Sequence, residues 1–174
     1  MKKIVFVFVI SAICGTVAFG QKPAVVARPA DSAKAVRDAF ERLVEGIKQV
    51  SAEKVMSVYE NSDRILFFNN NGTATIGWQN MKSNRESLYE KTKNVTLEIT
   101  GLRVEMLGPS AAYVTCKWKQ RQEFDGKLED ASGRMTLIFK KFGKDWKVAH
   151  LHTSPDSPAA NRPVLPSERQ GASE

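Results

Sequence analysis

The sequence predicts an α+β fold in which three N-terminal helices pack on a strongly bent antiparallel sheet. Three observations carry this reading. Helical and short extended patterns share the first half of the chain, whereas from Val95 onward long strands follow one another. The stretch Ser132–Ser154, SGRMTLIFKKFGKDWKVAHLHTS, reads as two strands joined at Phe142-Gly143-Lys144. The apolar phase of the strand beginning at Val95 slips by one residue near Thr100-Gly101, which is the mark of a β-bulge, and bulges bend sheets.

The first 20 residues are expected to lie outside this fold. Lys2 and Lys3 make a charged start, Ile4 to Ile13 an apolar run shorter than the roughly 20 residues a bilayer span needs, and Ala18-Phe19-Gly20 a small-x-small cleavage site. The pattern predicts a signal peptide over 1–20 and an exported, periplasmic or secreted protein with no stable membrane anchor after cleavage. Ile13 before Cys14 does not suit a lipoprotein signal. About 154 residues remain, enough for one domain with a real core. Loss of Lys2 and Lys3 takes the formal charge from +7 to +5. The basic residues are scattered rather than gathered in a stripe, so no nucleic-acid partner is expected. Cys116 is then the single cysteine; this excludes an internal disulfide and a cysteine-built metal site. Between Val114 and Trp118 on one strand face it reads as a small buried hydrophobe.

Gln21–Ala30, with Pro23 and Pro29, is a linker. Asp31 or Ser32 can cap the first helix, whose Val36, Phe40, Leu43, Val44 and Ile47 share one face and which runs to about Val50. Ser51 caps a second, short helix with Val55, Met56, Val58 and Tyr59, and Glu53 suits its first turn. Arg64–Phe68 and Thr73–Ile76 are brief strands around the turn Asn69-Asn70-Asn71-Gly72. Trp78–Lys91 is a third helix with Trp78, Met81, Arg85, Leu88 and Tyr89 near one face; Arg85 is the odd member of that stripe.

The strands Val95–Leu107, Ala111–Phe124 and Asp130–Phe142 follow, with a turn at Asp125-Gly126. Val114, Cys116 and Trp118 share a face of the second, and Met135, Leu137 and Phe139 of the third. The last strand places Trp146, Val148, His150, His152 and Ser154 on one face, apolar at one end and polar at the other, as suits a strand whose end opens into a cleft. From Pro155 the chain is rich in Pro, Ser, Ala and charge and reads as a disordered tail, 155–174. The domain is therefore expected over 31–154. Helices closed over a bent sheet leave a conical cavity, the usual place for a ligand.

The helix pair ending in Val58-Tyr59, the strand-turn-Gly-Trp run from Phe67 to Trp78, and the Gly-x-x-Trp-x-Val-x-His-x-His-x-Ser run ending at Ser154 together resemble the SnoaL-like branch of the nuclear transport factor 2-like superfamily. The resemblance covers about Asp31 to Ser154. It implies a cone-shaped barrel with a pocket and a homodimer formed through the sheet. Members include isomerases, polyketide cyclases and dehydratases, proteins without a catalytic role, and an assembly domain of a calmodulin-dependent kinase. Ketosteroid isomerase relatives carry a carboxylate base in the first strands, but Leu66–Gly72 holds no Asp or Glu, which argues against that chemistry here.

His150 and His152 are the candidate catalytic pair. At i and i+2 on one face they stand roughly 6.5–7 Å apart, so both can look into one cavity and move protons near neutral pH. Tyr59, Asn69, Trp78, Arg85, Trp118 and Ser154 are the candidate ligand-binding residues. Two His form half a metal site, but further ligands are lacking nearby, Asp156 and Glu105 being guesses; neither metal nor cofactor is expected. The partner expected is a small apolar or carbonyl-containing molecule. Three functions fit: a binding module without chemistry, an isomerase, cyclase or dehydratase using His150 or His152, and a dimerisation module. The lack of a carboxylate in Leu66–Gly72 and the polar gradient of the last strand favour the first.

Overall fold

A computed structural model describes residues 29–156. The expected signal peptide (1–20) lies outside them, as does the linker up to residue 28 and the tail from residue 157 onward. The described elements run α1 (Pro29–Lys48), α2 (Ala52–Ser57), β1 (Leu66–Phe68), β2 (Ala74–Ile76), α3 (Trp78–Tyr89), β3 (Thr92–Met106), β4 (Ala111–Phe124), β5 (Lys127–Phe142) and β6 (Asp145–Pro155). The expected order of elements holds. α1 starts two residues early, with Pro29 in its first turn, where the missing N–H costs nothing, and Ser32 is buried within the helix rather than capping it. Val50, at φ 52°, ends the α1 segment in a left-handed conformation, and the Ser51 hydroxyl accepts from the Lys54 N–H to cap α2.

The six strands form one sheet in the order β2-β1-β6-β5-β4-β3. The sheet is mixed rather than wholly antiparallel, because β1 runs parallel to β6, with Leu66 beside His150 and Phe68 beside His152. Asp125 and Gly126 both have positive φ (49° and 77°), the left-handed pair that a two-residue hairpin between β4 and β5 needs. The bulge expected near Thr100-Gly101 is present: Thr100 pairs with Lys117, but the next pair is Arg103 with Thr115.

A second bulge falls on β6. Ile138 and Phe139 are neighbours on β5, yet they pair with His150 and Val148, leaving Ala149 as the extra residue. One added residue moves every later side chain to the opposite face. Trp146 and Val148 point to the core; beyond the bulge the inward positions are Leu151 and Thr153, not His150 and His152.

α1 lies across the concave face against β3 and β6, α2 packs beside it, and α3 packs against α2 and the edges of the sheet. Phe40, Leu43, Met56, Phe67, Val114, Leu137, Phe139 and Val148 meet there as a fully buried core. Each such side chain contributes about 1.5–3 kcal/mol by leaving water. This core fills one end of the cone; the other end stays open between α3, the β1–β2 turn and the sheet.

Candidate functional site

The open end of the cone is a cavity of about 550 Å³, within the usual range of small-molecule sites. Its apolar floor combines Leu43 and Ile47 of α1 with Leu97, Trp118, Met135 and Leu151 of the sheet. Its polar side comes from the β1–β2 turn (Asn69, Asn70, Asn71, Thr73, Thr75), from Asn84, Arg85 and Ser87 of α3, and from Gln120 and Thr153. Tyr59 also lines it.

Each of these side chains is held by an identifiable feature. The segment after α2 pairs with β6: the Glu60 N–H donates to the Val148 carbonyl (2.9 Å) and the Val148 N–H to that of Val58 (2.9 Å). Tyr59 is thereby fixed between them, its ring edge-on to Phe67 at 5.0 Å between centroids. The Asn69 amide donates to the hydroxyls of Thr73 (3.0 Å) and Thr75 (3.1 Å), tying the turn to the cavity edge. Trp118 stands opposite Gly133 on β5. A Cβ on Gly133 would lie 3.0 Å from Trp118 Cζ2 and 2.1 Å from the Ser154 carbonyl oxygen, so the indole occupies room that only glycine leaves. Trp118 is 8% exposed, and its Nε1 has no hydrogen-bond partner among the described residues. Arg85 lies over the Tyr89 ring at 5.3 Å from its centre, a cation–π contact.

The electrostatics are simple. Of the lining residues Arg85 alone carries a charge, and none is an Asp, Glu, His, Lys or Cys. Burial pushes the Tyr59 phenol up to about 12, against the pull of the Arg85 charge. Burial also raises Tyr89, again opposed by Arg85. Near neutral pH the Tyr59 hydroxyl therefore stays protonated, able to donate a hydrogen bond but not to take a proton.

Four of the expected ligand-binding residues come together in this cavity: Tyr59, Asn69, Arg85 and Trp118. The others do not. The β6 bulge turns His150, His152 and Ser154 to the outer face of the sheet, opposite Ile138, Thr136 and Arg134. There the two imidazoles stand edge-on to Phe68, at 5.8 Å and 5.4 Å between ring centroids. Trp78 points between α2 and α3, where its Nε1 donates to the Met56 carbonyl (3.2 Å). Leu151 and Thr153 take the places expected of the histidines. A signal for this lay in the sequence: Trp146 and Val148 share one phase and Leu151 the other, the same one-residue slip that marked the bulge in β3. No group of three or more His, Cys, Asp or Glu close enough to hold a metal ion occurs among the described residues.

A family model for the SnoaL-like domain matches residues 36–159. No curated protein matches the chain. Among solved structures it is similar to a nuclear transport factor 2-like superfamily protein from Salmonella enterica serovar Typhimurium, with TM-score 0.69 and 16% identity over 79% of this chain and 100% of that one. It is also similar to a ketosteroid isomerase-like protein from Erwinia carotovora, with TM-score 0.63 and 17% identity over 74% of this chain and 98% of that one. A third is a type 2 hexachlorocyclohexane dehydrochlorinase, with TM-score 0.63 and 13% identity over 79% and 95% of the two chains. Identities this low speak for a shared fold alone.

Proposed function

The chain belongs to the SnoaL-like domain family, and from that premise we propose that it binds a small molecule in its cone without carrying out acid–base chemistry on it. One observation carries this reading. Among the described residues the cavity holds no carboxylate, imidazole, amine or thiol, and the phenol of Tyr59 keeps its proton near neutral pH. Enzymes among the structural relatives, such as the dehydrochlorinase, do not alter this, because function resides in the site rather than the fold. The placement of His150 and His152 on the far side of the sheet weighs against an isomerase, cyclase or dehydratase built on them.

The test is titration of the purified protein with N-phenyl-1-naphthylamine, a neutral apolar dye that fluoresces out of water. The expected result is saturable binding of one dye per chain, lost when Leu97→Trp or Met135→Trp fills the floor. No saturable binding, or binding that both filled variants retain, would overturn the reading.

The same proposal includes export and a homodimer. Export is supported by Lys2-Lys3, the apolar run to Ile13 and Ala18-Phe19-Gly20; N-terminal sequencing after expression with the full leader tests it, the expected first residue being Gln21. A dimer through the outer sheet face is supported by the half-buried Tyr113 and Ile138 there; light scattering tests it, and a monomeric mass at all concentrations would exclude it.

A further inference from the structure

We infer that the cavity takes a small amphipathic monoanion, an apolar body ending in a single oxyanion group such as a carboxylate, with Arg85 as the residue that reads the charge. The inference rests on the binding reading above and names its ligand class. Three features point to it. Arg85 is the one charged side chain of the cavity, and it makes no ion pair among the described residues. A half-buried arginine with no carboxylate partner among the described residues is free to pair with an incoming anion.

The second feature is orientation. The Tyr89 ring beside Arg85 limits the directions the guanidinium can take, and a held guanidinium fork matches two oxygens of one oxyanion. The Tyr59 hydroxyl, protonated at every physiological pH and within the field of Arg85, is a fixed hydrogen-bond donor in the same wall. Among the described residues no carboxylate lines the cavity to repel the ligand or to compete for the cation.

The third feature is the division of the walls. Leu97, Trp118, Met135 and Leu151 of the sheet and Met81 and Leu88 of α3 supply apolar surface, and the uncharged polar groups Asn84, Gln120 and Thr153 share the lining with Arg85. Such a cavity accommodates one charge at one end and gains from burying an uncharged body at the other. A dianion would leave its second charge without a cation among the lining residues.

The test compares two dyes that share one body. 8-Anilinonaphthalene-1-sulfonate is N-phenyl-1-naphthylamine carrying a single sulfonate. Both are titrated against the full chain, Arg85→Gln and Arg85→Lys, with a thermal melt of each variant. The expected result is tighter binding of the anion than of the neutral dye by wild type. Arg85→Gln should weaken the anion by about 10- to 100-fold, a much larger loss than any it causes for the neutral dye. Arg85→Lys, which keeps the charge without the fork, should fall between. Unlabelled 4-phenylbutanoate should displace the dye more strongly than 4-phenylbutanamide from wild type, and no better than the amide from Arg85→Gln. If the neutral dye binds while the anion is no tighter, or if both Arg85 variants retain the preference, the assignment to Arg85 fails and the binding reading stands. If neither dye binds, both fail. An Arg85→Gln chain that does not fold leaves the wild-type preference and the Arg85→Lys titration to decide.

Discussion

The ring of Phe68 on β1 lies edge-on to that of His152 on β6, 5.4 Å between centroids, on the face of the sheet away from the cavity. His150 meets the same phenyl ring from the neighbouring outward position. The two imidazoles therefore cover an aromatic side chain that is still 41% exposed, rather than a ligand. The double variant His150→Ala/His152→Ala should lose about 1 kcal/mol of stability in urea denaturation. It should bind the naphthylamine within about twofold of wild type. A large loss of dye affinity at unchanged stability would place the pair in the site after all.

Ala149 is the residue that separates the two phases of β6. Deleting it would force either Val148 or Leu151, both buried, onto the outer face. The expected cost is about 3 kcal/mol or more, comparable with truncating a large core side chain. Substituting Ala149→Ser, which keeps the extra residue, should cost under about 1 kcal/mol. Chemical denaturation of the two variants checks the contrast.

Gly133→Ala would set a methyl group 2.1 Å from the Ser154 carbonyl oxygen, a backbone atom that cannot swing aside, and 3.0 Å from Trp118. Relief demands that β5 and β6 part or that the indole move. A loss of about 3 kcal/mol is expected, with a change in Trp fluorescence because the cavity wall shifts. Stability within about 0.5 kcal/mol of wild type would show that this approach is looser than the geometry requires.

The buried phenol of Tyr59 links stability to alkaline pH. Its ordinary value is 10.0, and folding raises it to about 12. Between those values the unfolded chain has released a proton that the folded chain keeps, so the contribution is full below pH 10 and disappears as pH rises through 12. The loss can reach about 3 kcal/mol for a shift of this size. Melts at stepped pH should show a steeper fall above pH 10 for wild type than for Tyr59→Phe. A remaining decline in the variant is expected, because burial also raises Tyr89 and Cys116.

Cys116 faces the core between Val114 and Trp118, 5% exposed, and burial pushes its thiol up to about 11. Thiolate is the reactive form, so the folded protein should resist thiol reagents near neutral pH. In a Cys14→Ser chain, Ellman's reagent at pH 8 should label almost nothing until denaturant is added. Prompt labelling of the native protein would reveal local opening of β4.

Much of the fold could be read from local pattern. Period-two runs identified the long strands, Asp125-Gly126 and Gly143 their turns, Ser51 a helix cap, and the slip at Thr100-Gly101 a bend. Within the cavity, Tyr59, Arg85 and Trp118 were legible because each is a chemically conspicuous residue on a patterned helix or strand, and Asn69 because it opens the turn between the two short strands. Asn84, Gln120, Leu151 and Thr153 were not, since ordinary residue types become a wall only when distant elements meet.

The sequence by itself determined the order of the elements, the inward faces of α1, β4 and β5, and the absence of a carboxylate in the first strands. Periodicity and turn chemistry act over a few residues and need no partner to be recognised. Tertiary structure decided that β1 runs parallel to β6, and it fixed at Ala149 the extra residue that the phase slip in β6 only hints at. Register is set between strands, by which side chains the sheet can bury against the helices. Val148 and Leu151 lie an odd number of residues apart and both are buried, so the strand bulges and the histidines turn outward. That one shift takes both imidazoles out of the cavity, where Arg85 is the one charged side chain among the described lining residues.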